Sequence, residues 1–81
     1  AFIYKVLQQV KNNFGTKSAK ELTQWVKEEF EKTSSLKLEY FEIANEDNLK
    51  TVEEKINGHK YRAFIAVYAG DIRLIDNIAL N

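Results

Sequence analysis

The sequence predicts an α+β fold in which a two-helix hairpin packs on one face of a three-stranded antiparallel sheet. Apolar residues in the first part of the chain recur at steps of three and four, the helical period. The period changes to two at Leu36. Further on, a continuous apolar run from Ala63 to Ala69 is joined by Gly70-Asp71 to a last alternating segment, which is typical of a hairpin.

Two helices are predicted from their apolar stripes and end signals. The first stripe is Ile3, Leu7, Val10 and Phe14, and the second is Leu22, Trp25, Val26 and Phe30. We expect Gly15 to end the first helix in the left-handed conformation that glycine adopts without a steric cost. Ser18 and Glu21 have the spacing of a capping box that begins the second helix. Thr33-Ser34-Ser35 has too little helix propensity to continue it.

The first strand is predicted from Leu36 onward. We expect Leu36, Leu38 and Tyr40 to share one face and Lys37 and Glu39 to share the other. Phe41 and Ile43 break this alternation, which indicates a β-bulge near Tyr40 and Phe41.

Two connecting segments follow this strand. Asn45 to Asn48 predicts a tight turn or a single helical turn, because these side chains bond to nearby backbone amides. Asn57-Gly58 favours a type I′ turn, so a small hairpin pairing residues 55–56 with 59–60 is an alternative to a plain loop.

Ala63 to Ala69 is predicted to be the central strand, because a continuously apolar strand is covered on both faces. The segment after Gly70-Asp71 alternates and is expected to be an edge strand. Two helices cover only one face of the sheet, so the other face is expected to be an exposed apolar patch. Its expected partner is a missing domain or a second copy of the chain, the latter as a weak homodimer.

Composition limits the fold and the location. The chain has 81 residues, 44% of them hydrophobic, with balanced charges and no cysteine or methionine. We expect a single domain over residues 1–81, a cytoplasmic location, and no nucleic-acid or membrane partner. The absence of an initiating methionine suggests a piece of something longer. Residues 1–20 contain four lysines and no acidic residue. This pattern indicates a solvated helix face, with a nearby phosphate-bearing ligand as the alternative.

Few residues suggest chemistry. His59 is the only histidine and is interpreted as a solvated loop residue. The carboxylate pairs Glu28-Glu29 and Glu53-Glu54 are interpreted as solvated. We therefore predict no catalytic, cofactor-binding or metal-binding residue in this chain.

Two charged residues of the last strand need closer attention. Asp76 falls in phase with the apolar residues, so we expect Asp76 and Asn77 to satisfy backbone amides or a nearby cation. Contact of Asp76 with a ligand or an adjoining domain is the alternative. Arg73, next to Asp71, is interpreted as part of an exposed ion pair.

Three stretches carry a resemblance to a known family. They are Ile-Tyr-Lys-Val-Leu at residues 3–7, Leu38 to Leu49 with its acidic turn, and Arg-Leu-Ile-Asp-Asn at residues 73–77. Together they resemble the C-terminal domain of the pantothenate synthetases (pantoate-β-alanine ligases).

The resemblance implies a ligase of pantothenate and coenzyme A biosynthesis that joins pantoate and β-alanine through a pantoyl adenylate, using ATP and magnesium. In that family an N-terminal Rossmann-like domain carries a His-x-Gly-His motif, and Ser-Ser-Arg-Asn lies at the domain junction. Neither motif occurs here, since Ser34-Ser35 is followed by Leu36. The resemblance therefore implies a hinged lid domain that begins just past the junction, binds no cofactor alone and is inactive without the missing domain.

Two other functions remain as alternatives at this point. One is a free-standing α+β module for protein interaction or dimerisation. The other is a small independent enzyme, for which the sequence offers no nucleophile with a matching base and no phosphate-binding loop.

Overall fold

The chain folds as two helices followed by three strands, as predicted. A computed structural model describes residues 2–51, 55–56 and 58–81. The elements are α1 (Phe2–Asn13), α2 (Ala19–Glu31), β1 (Lys37–Asn45), β2 (Tyr61–Ala69) and β3 (Ile72–Ala79). Within these described residues, neither helix is long and apolar enough to cross a bilayer.

The strands form one antiparallel sheet in the order β1-β2-β3, which confirms that Ala63 to Ala69 lies in the central strand. Side chains from both helices pack on one face of this sheet. Ala63, Ile65 and Val67 of β2 are fully buried there. The rings of Phe2, at the start of α1, and Phe30, at the end of α2, meet edge to face at 5.1 Å. This contact between opposite helix ends fits the predicted antiparallel hairpin.

The predicted capping box of α2 is confirmed. The Ser18 hydroxyl accepts a hydrogen bond from the Glu21 amide at 3.0 Å, and Glu21 Oε1 accepts one from the Ser18 amide, also at 3.0 Å. The hydrogen bond from the Ser18 amide is the main reason why the pKa of Glu21 is lowered.

The prediction for Gly15 is wrong, because this glycine does not have a positive φ. The carbonyl of Asn13 instead accepts the amides of Thr16 and Lys17, at 3.1 and 3.0 Å. Lys55 Nζ then donates to the carbonyls of Phe14 and Lys17. A distant lysine thus holds the loop that follows α1.

The predicted β-bulge is present next to Tyr40, at Glu39. Leu38 pairs with Val67 and Tyr40 pairs with Ala66, so Glu39 is the extra residue. Tyr40 therefore lies on the face opposite to Leu38, and the expectation that they share a face is wrong. An aromatic ring with a hydroxyl suits either face, so alternation alone did not fix the unpaired residue.

The predicted turn after β1 is confirmed. Asn45 Oδ1 accepts the amide of Asp47 at 2.8 Å, and the Leu49 amide donates to the Asn45 carbonyl at 2.7 Å. The centre of the second predicted hairpin, Asn57, lies outside the described residues. Its described neighbours belong to no strand, although the His59 amide donates to the carbonyl of Ile56 at 3.2 Å.

Candidate functional site: the open face of the sheet

Among the residues that the structure describes, no helix lies on one face of the sheet, and we call this the open face. Residues that pair directly across antiparallel strands share a face, so the register defines its members. They are Lys37, Tyr40, Glu42 and Ala44 from β1; Arg62, Phe64, Ala66 and Tyr68 from β2; and Arg73, Ile75, Asn77 and Ala79 from β3. The predicted uncovered face therefore exists.

The centre of the open face is apolar. Ala66 lies between Tyr40 and Ile75 in the register and is fully buried. Larger neighbours remain in contact with solvent, since Ile75 is 61% exposed and Tyr68 is 37% exposed. Burying such side chains is favourable by about 25 cal/mol per Å² of apolar surface, so this centre favours contact with another apolar surface.

Ion pairs lie at both ends of the open face. At one end Arg62 donates to Asn77 Oδ1 at 2.6 Å and approaches Glu46 Oε1 at 3.4 Å. At the other end Arg73 Nε donates to Glu39 Oε1 at 2.7 Å, and this hydrogen bond raises the pKa of Arg73. The arrangement is an apolar centre with an ion pair at each end, and the face also carries the exposed side chains of Lys37 and Glu42.

The prediction that Arg73 belongs to an exposed ion pair is confirmed, but its partner is Glu39 and not the neighbouring Asp71. Asp71 lies in the turn before β3, whereas the bulge brings Glu39 within reach of the guanidinium. Sequence proximity suggested Asp71, and only the fold brings Glu39 close.

Asp76 lies on the helix side of the sheet, opposite Ile65, and is half-buried as its phase predicted. Its Oδ1 accepts a hydrogen bond from the Asn77 amide at 2.8 Å. The carboxylate therefore bonds to a backbone amide, as predicted. Asn77 points to the open face and binds Arg62. The side chains of Asp76 and Asn77 therefore lie on opposite faces of the sheet.

His59 is exposed, as expected of a loop residue, but its ring is oriented by Asn45. Asn45 Oδ1 already accepts the amides of Asp47 and Asn48, so Asn45 Nδ2 must be the atom that faces His59 Nδ1, at 3.0 Å. His59 Nδ1 is then the acceptor. Asn81 Nδ2 donates to the His59 carbonyl at 2.8 Å and fastens the same loop to the end of β3.

The carboxylates of Glu28 and Glu29 make local contacts on α2. Glu28 accepts a hydrogen bond from Gln24 at 3.3 Å, and Glu29 pairs with Lys32 at 2.7 Å. Glu53 and Glu54 lie outside the described residues. The lysines of residues 1–20 are all exposed, which fits a solvated helix face; they are Lys5, Lys11, Lys17 and Lys20.

A groove runs along the outer edge of β1. It has a volume of about 810 Å³ and lies between that edge and the C-terminal part of α2, with Phe30, Leu36 and Leu38 among its lining residues. Within the described residues, no group of three or more His, Asp or Glu is placed to hold a metal ion.

The sequence of residues 1–79 matches the family model described as pantoate-beta-alanine ligase. The chain belongs to this family. A pantothenate synthetase from Christiangramia forsetii is 58% identical over 81 residues, and one from Flavobacterium psychrophilum is 54% identical over 80 residues. The chain covers only 29% and 28% of these relatives.

Solved structures agree on the fold. The crystal structure of pantothenate synthetase from Thermus thermophilus matches with a TM-score of 0.78 at 22% identity, over 95% of this chain and 28% of that one. The chain therefore spans under a third of the length of the relatives it matches.

Sequence reasoning missed Arg62, Glu46 and Asn45. Arg62 was missed because it stands at the start of an otherwise apolar strand. An arginine at such a position indicates that its partner lies on the same face of the sheet. Asn45 was interpreted only as a turn residue. Its second role requires His59, which is distant in sequence, and no local pattern indicates it.

Proposed function

We propose that this chain is the C-terminal lid domain of a pantothenate synthetase that joins pantoate and β-alanine with ATP and magnesium. The reaction proceeds through a pantoyl adenylate, from which the β-alanine amine displaces AMP. The observation that carries the proposal is the match of the whole chain to less than a third of a 58% identical relative. The remainder of such a protein supplies an N-terminal Rossmann-like domain.

The role of a lid is to exclude water and to complete the site on closure. An acyl adenylate in water is lost to hydrolysis, so covering it preserves the intermediate for the amine. The phosphate-binding motifs expected of the family, His-x-Gly-His and Ser-Ser-Arg-Asn, do not occur in this sequence. The proposal therefore assigns ATP and magnesium binding to the N-terminal domain, and the whole protein to the cytoplasm.

The first test is to read the gene upstream of the codon for Ala1. We expect His-x-Gly-His and Ser-Ser-Arg-Asn in the same reading frame. A frame without either motif would contradict the proposal and favour a free-standing interaction module.

The second test is to assay the 81-residue chain alone with pantoate, β-alanine, magnesium and ATP. We expect no pantothenate and no pantoyl adenylate above a control without protein. Formation of either product would contradict the assignment of ATP and magnesium binding to the N-terminal domain.

A further inference from the structure

The outer edge of β1 is the side of this strand that faces away from β2. Among the described residues, nothing pairs with this edge from Lys37 to Ile43. An unpaired edge presents backbone N–H and C=O groups that can bond to another strand. We propose that a second copy of this chain adds its own β1 to this edge in antiparallel orientation, which forms a two-fold symmetric dimer with a continuous sheet. This dimer is independent of the proposed function.

The direction of the backbone groups shows which residues bond to the second copy. The Asn45 amide donates to the Lys50 carbonyl at 3.0 Å, on the side away from β2. In an antiparallel strand the backbone groups of every second residue point to the same edge, so those of Phe41 also point outward. The bulge at Glu39 adds one residue, so the next outward-pointing residue before Phe41 is Leu38.

A symmetric pairing must bring residues of the same face together, and the bulge makes this possible. With the two-fold axis between Glu39 and Tyr40, Leu38 of each copy pairs with Phe41 of the other. In a regular strand, side chains three positions apart point to opposite faces. Because Glu39 is the extra residue between them, Leu38 and Phe41 both lie on the helix side of the sheet. Each such pair joins two apolar side chains and two backbone hydrogen bonds across the dimer.

The same register places opposite charges together. Lys37 of each copy lies opposite Glu42 of the other, and both side chains are exposed on the open face. Among the described residues, neither side chain forms an ion pair within its own chain. Opposite charges that face each other across antiparallel strands stabilise the pairing. A register centred on Glu42 also matches the faces, but it sets this carboxylate against its own copy, which is destabilising.

A second copy also closes the groove along this edge. The groove lies between the edge and α2, and Phe30, Leu36 and Leu38 are among its lining residues. A two-fold axis perpendicular to the sheet keeps the helices of both copies on one side of the joined sheet. The second copy's α2 therefore lies alongside the groove and covers its apolar side chains, while the open face stays accessible.

The size of this contact predicts a weak dimer. About six paired residues at about 3.4 Å each, and a height of about 20 Å for one sheet and one helix layer, give a contact of roughly 400 Å². A stable complex of separate proteins needs about 800 Å² from each partner. We therefore expect the dimer to form only at high protein concentration.

Exchange of charges tests this register. Lys37→Glu or Glu42→Lys alone sets like charges opposite each other in a homodimer, whereas a mixture of the two variants restores opposite charges at both positions. The matched controls are Lys5→Glu and Glu28→Lys, which change the net charge equally at exposed positions of α1 and α2. Sedimentation equilibrium at low ionic strength gives the dissociation constant of the original chain, of each variant and of both equimolar mixtures. A urea titration shows that each variant is folded.

We expect the dissociation constant of each edge variant alone to be at least about tenfold higher than that of the original chain, because like charges then face each other. The mixture of the two edge variants should return to within about threefold of the original value, and the controls, alone or mixed, should stay there.

An original chain that stays monomeric at the highest concentration measured would overturn the inference. Dimers equally stable in the original chain and in Lys37→Glu would overturn it in favour of another surface, such as the open face. A mixture of edge variants that dimerises no better than either variant alone would overturn the register. Each of these results leaves the proposed function intact, because the upstream gene tests that function separately.

Discussion

Arg73 of β3 donates from Nε to Oε1 of Glu39, the bulge residue of β1, at 2.7 Å, so one ion pair joins the two edge strands over the central strand. Both side chains remain partly exposed, so solvent screens the attraction. The pair neutralises the charge of Arg73 at one end of the open face and does little to hold the sheet together.

A double-mutant cycle with Arg73→Gln and Glu39→Gln should give a coupling energy of about 0.2–1 kcal/mol, the range of exposed pairs. The free energy of unfolding is measured by urea titration, followed by the fluorescence of Trp25, the only tryptophan. The coupling should fall with added salt. A coupling of several kcal/mol that resists salt would contradict the exposed geometry.

Gly70→Val is expected to destabilise the chain by about 1–3 kcal/mol, because Gly70 has a φ of 61° at the first central position of the β2–β3 turn. Gly15→Val is the matched control. A Cβ at either glycine meets no atom within 4 Å, so the two sites differ in backbone conformation and not in space. Equal urea midpoints for both variants would show that the turn tolerates a side chain and that its assignment is wrong.

The sheet was predictable because its main signals are local. The apolar run of β2 identified the central strand, and the Gly70-Asp71 pair identified the turn after it. The end of α1 was predicted incorrectly for the opposite reason. Lys55 serves the carbonyls at that end from a distant part of the chain, and nothing near Gly15 indicates this.

The candidate site was predictable only in outline. Alternation in β2 showed that both faces are apolar and that one stays uncovered. The rim pairs were not predictable, because Arg62 with Glu46 and Arg73 with Glu39 join residues that the register brings together. A bulge of one residue is enough to change which side chains meet.

Glu21 should make stability depend on pH. The hydrogen bond from the Ser18 amide lowers the pKa of Glu21 in the folded state below its ordinary 4.5. The stabilisation is therefore present above the pKa of the unfolded chain and is lost as the pH falls through the folded pKa. We expect acidification from neutral pH to about pH 3 to lower the urea midpoint more in the original chain than in Glu21→Gln, which does not titrate. An identical decrease in both would contradict this assignment.

Asn45→Ala should cost about 1–3 kcal/mol, because it removes a buried acceptor of two backbone amides and leaves them without a partner. Asn48→Ala is the control, since that exposed side chain accepts the amide of Lys50, and it should cost less than about 1 kcal/mol. Urea titration measures both. A larger cost at Asn48 would show that the turn is held differently.

The same network fixes the tautomer of His59. Because Asn45 Nδ2 donates to His59 Nδ1, the neutral ring should carry its proton on Nε2. Nitrogen NMR of the imidazole distinguishes the two tautomers. In Asn45→Ala the preference should weaken, and an Nδ1-protonated ring in the original chain would contradict the contact.

The central claim is that this domain works only as part of a pantothenate synthetase. The most direct measurement is pantothenate formation by the parent enzyme, by the parent truncated before the residue that corresponds to Ala1, and by the truncated parent mixed with the 81-residue chain. We expect activity in the intact parent, a loss of at least about a hundredfold on truncation, and partial recovery on mixing at high concentration. A truncated parent that forms pantothenate as fast as the intact enzyme would contradict the account.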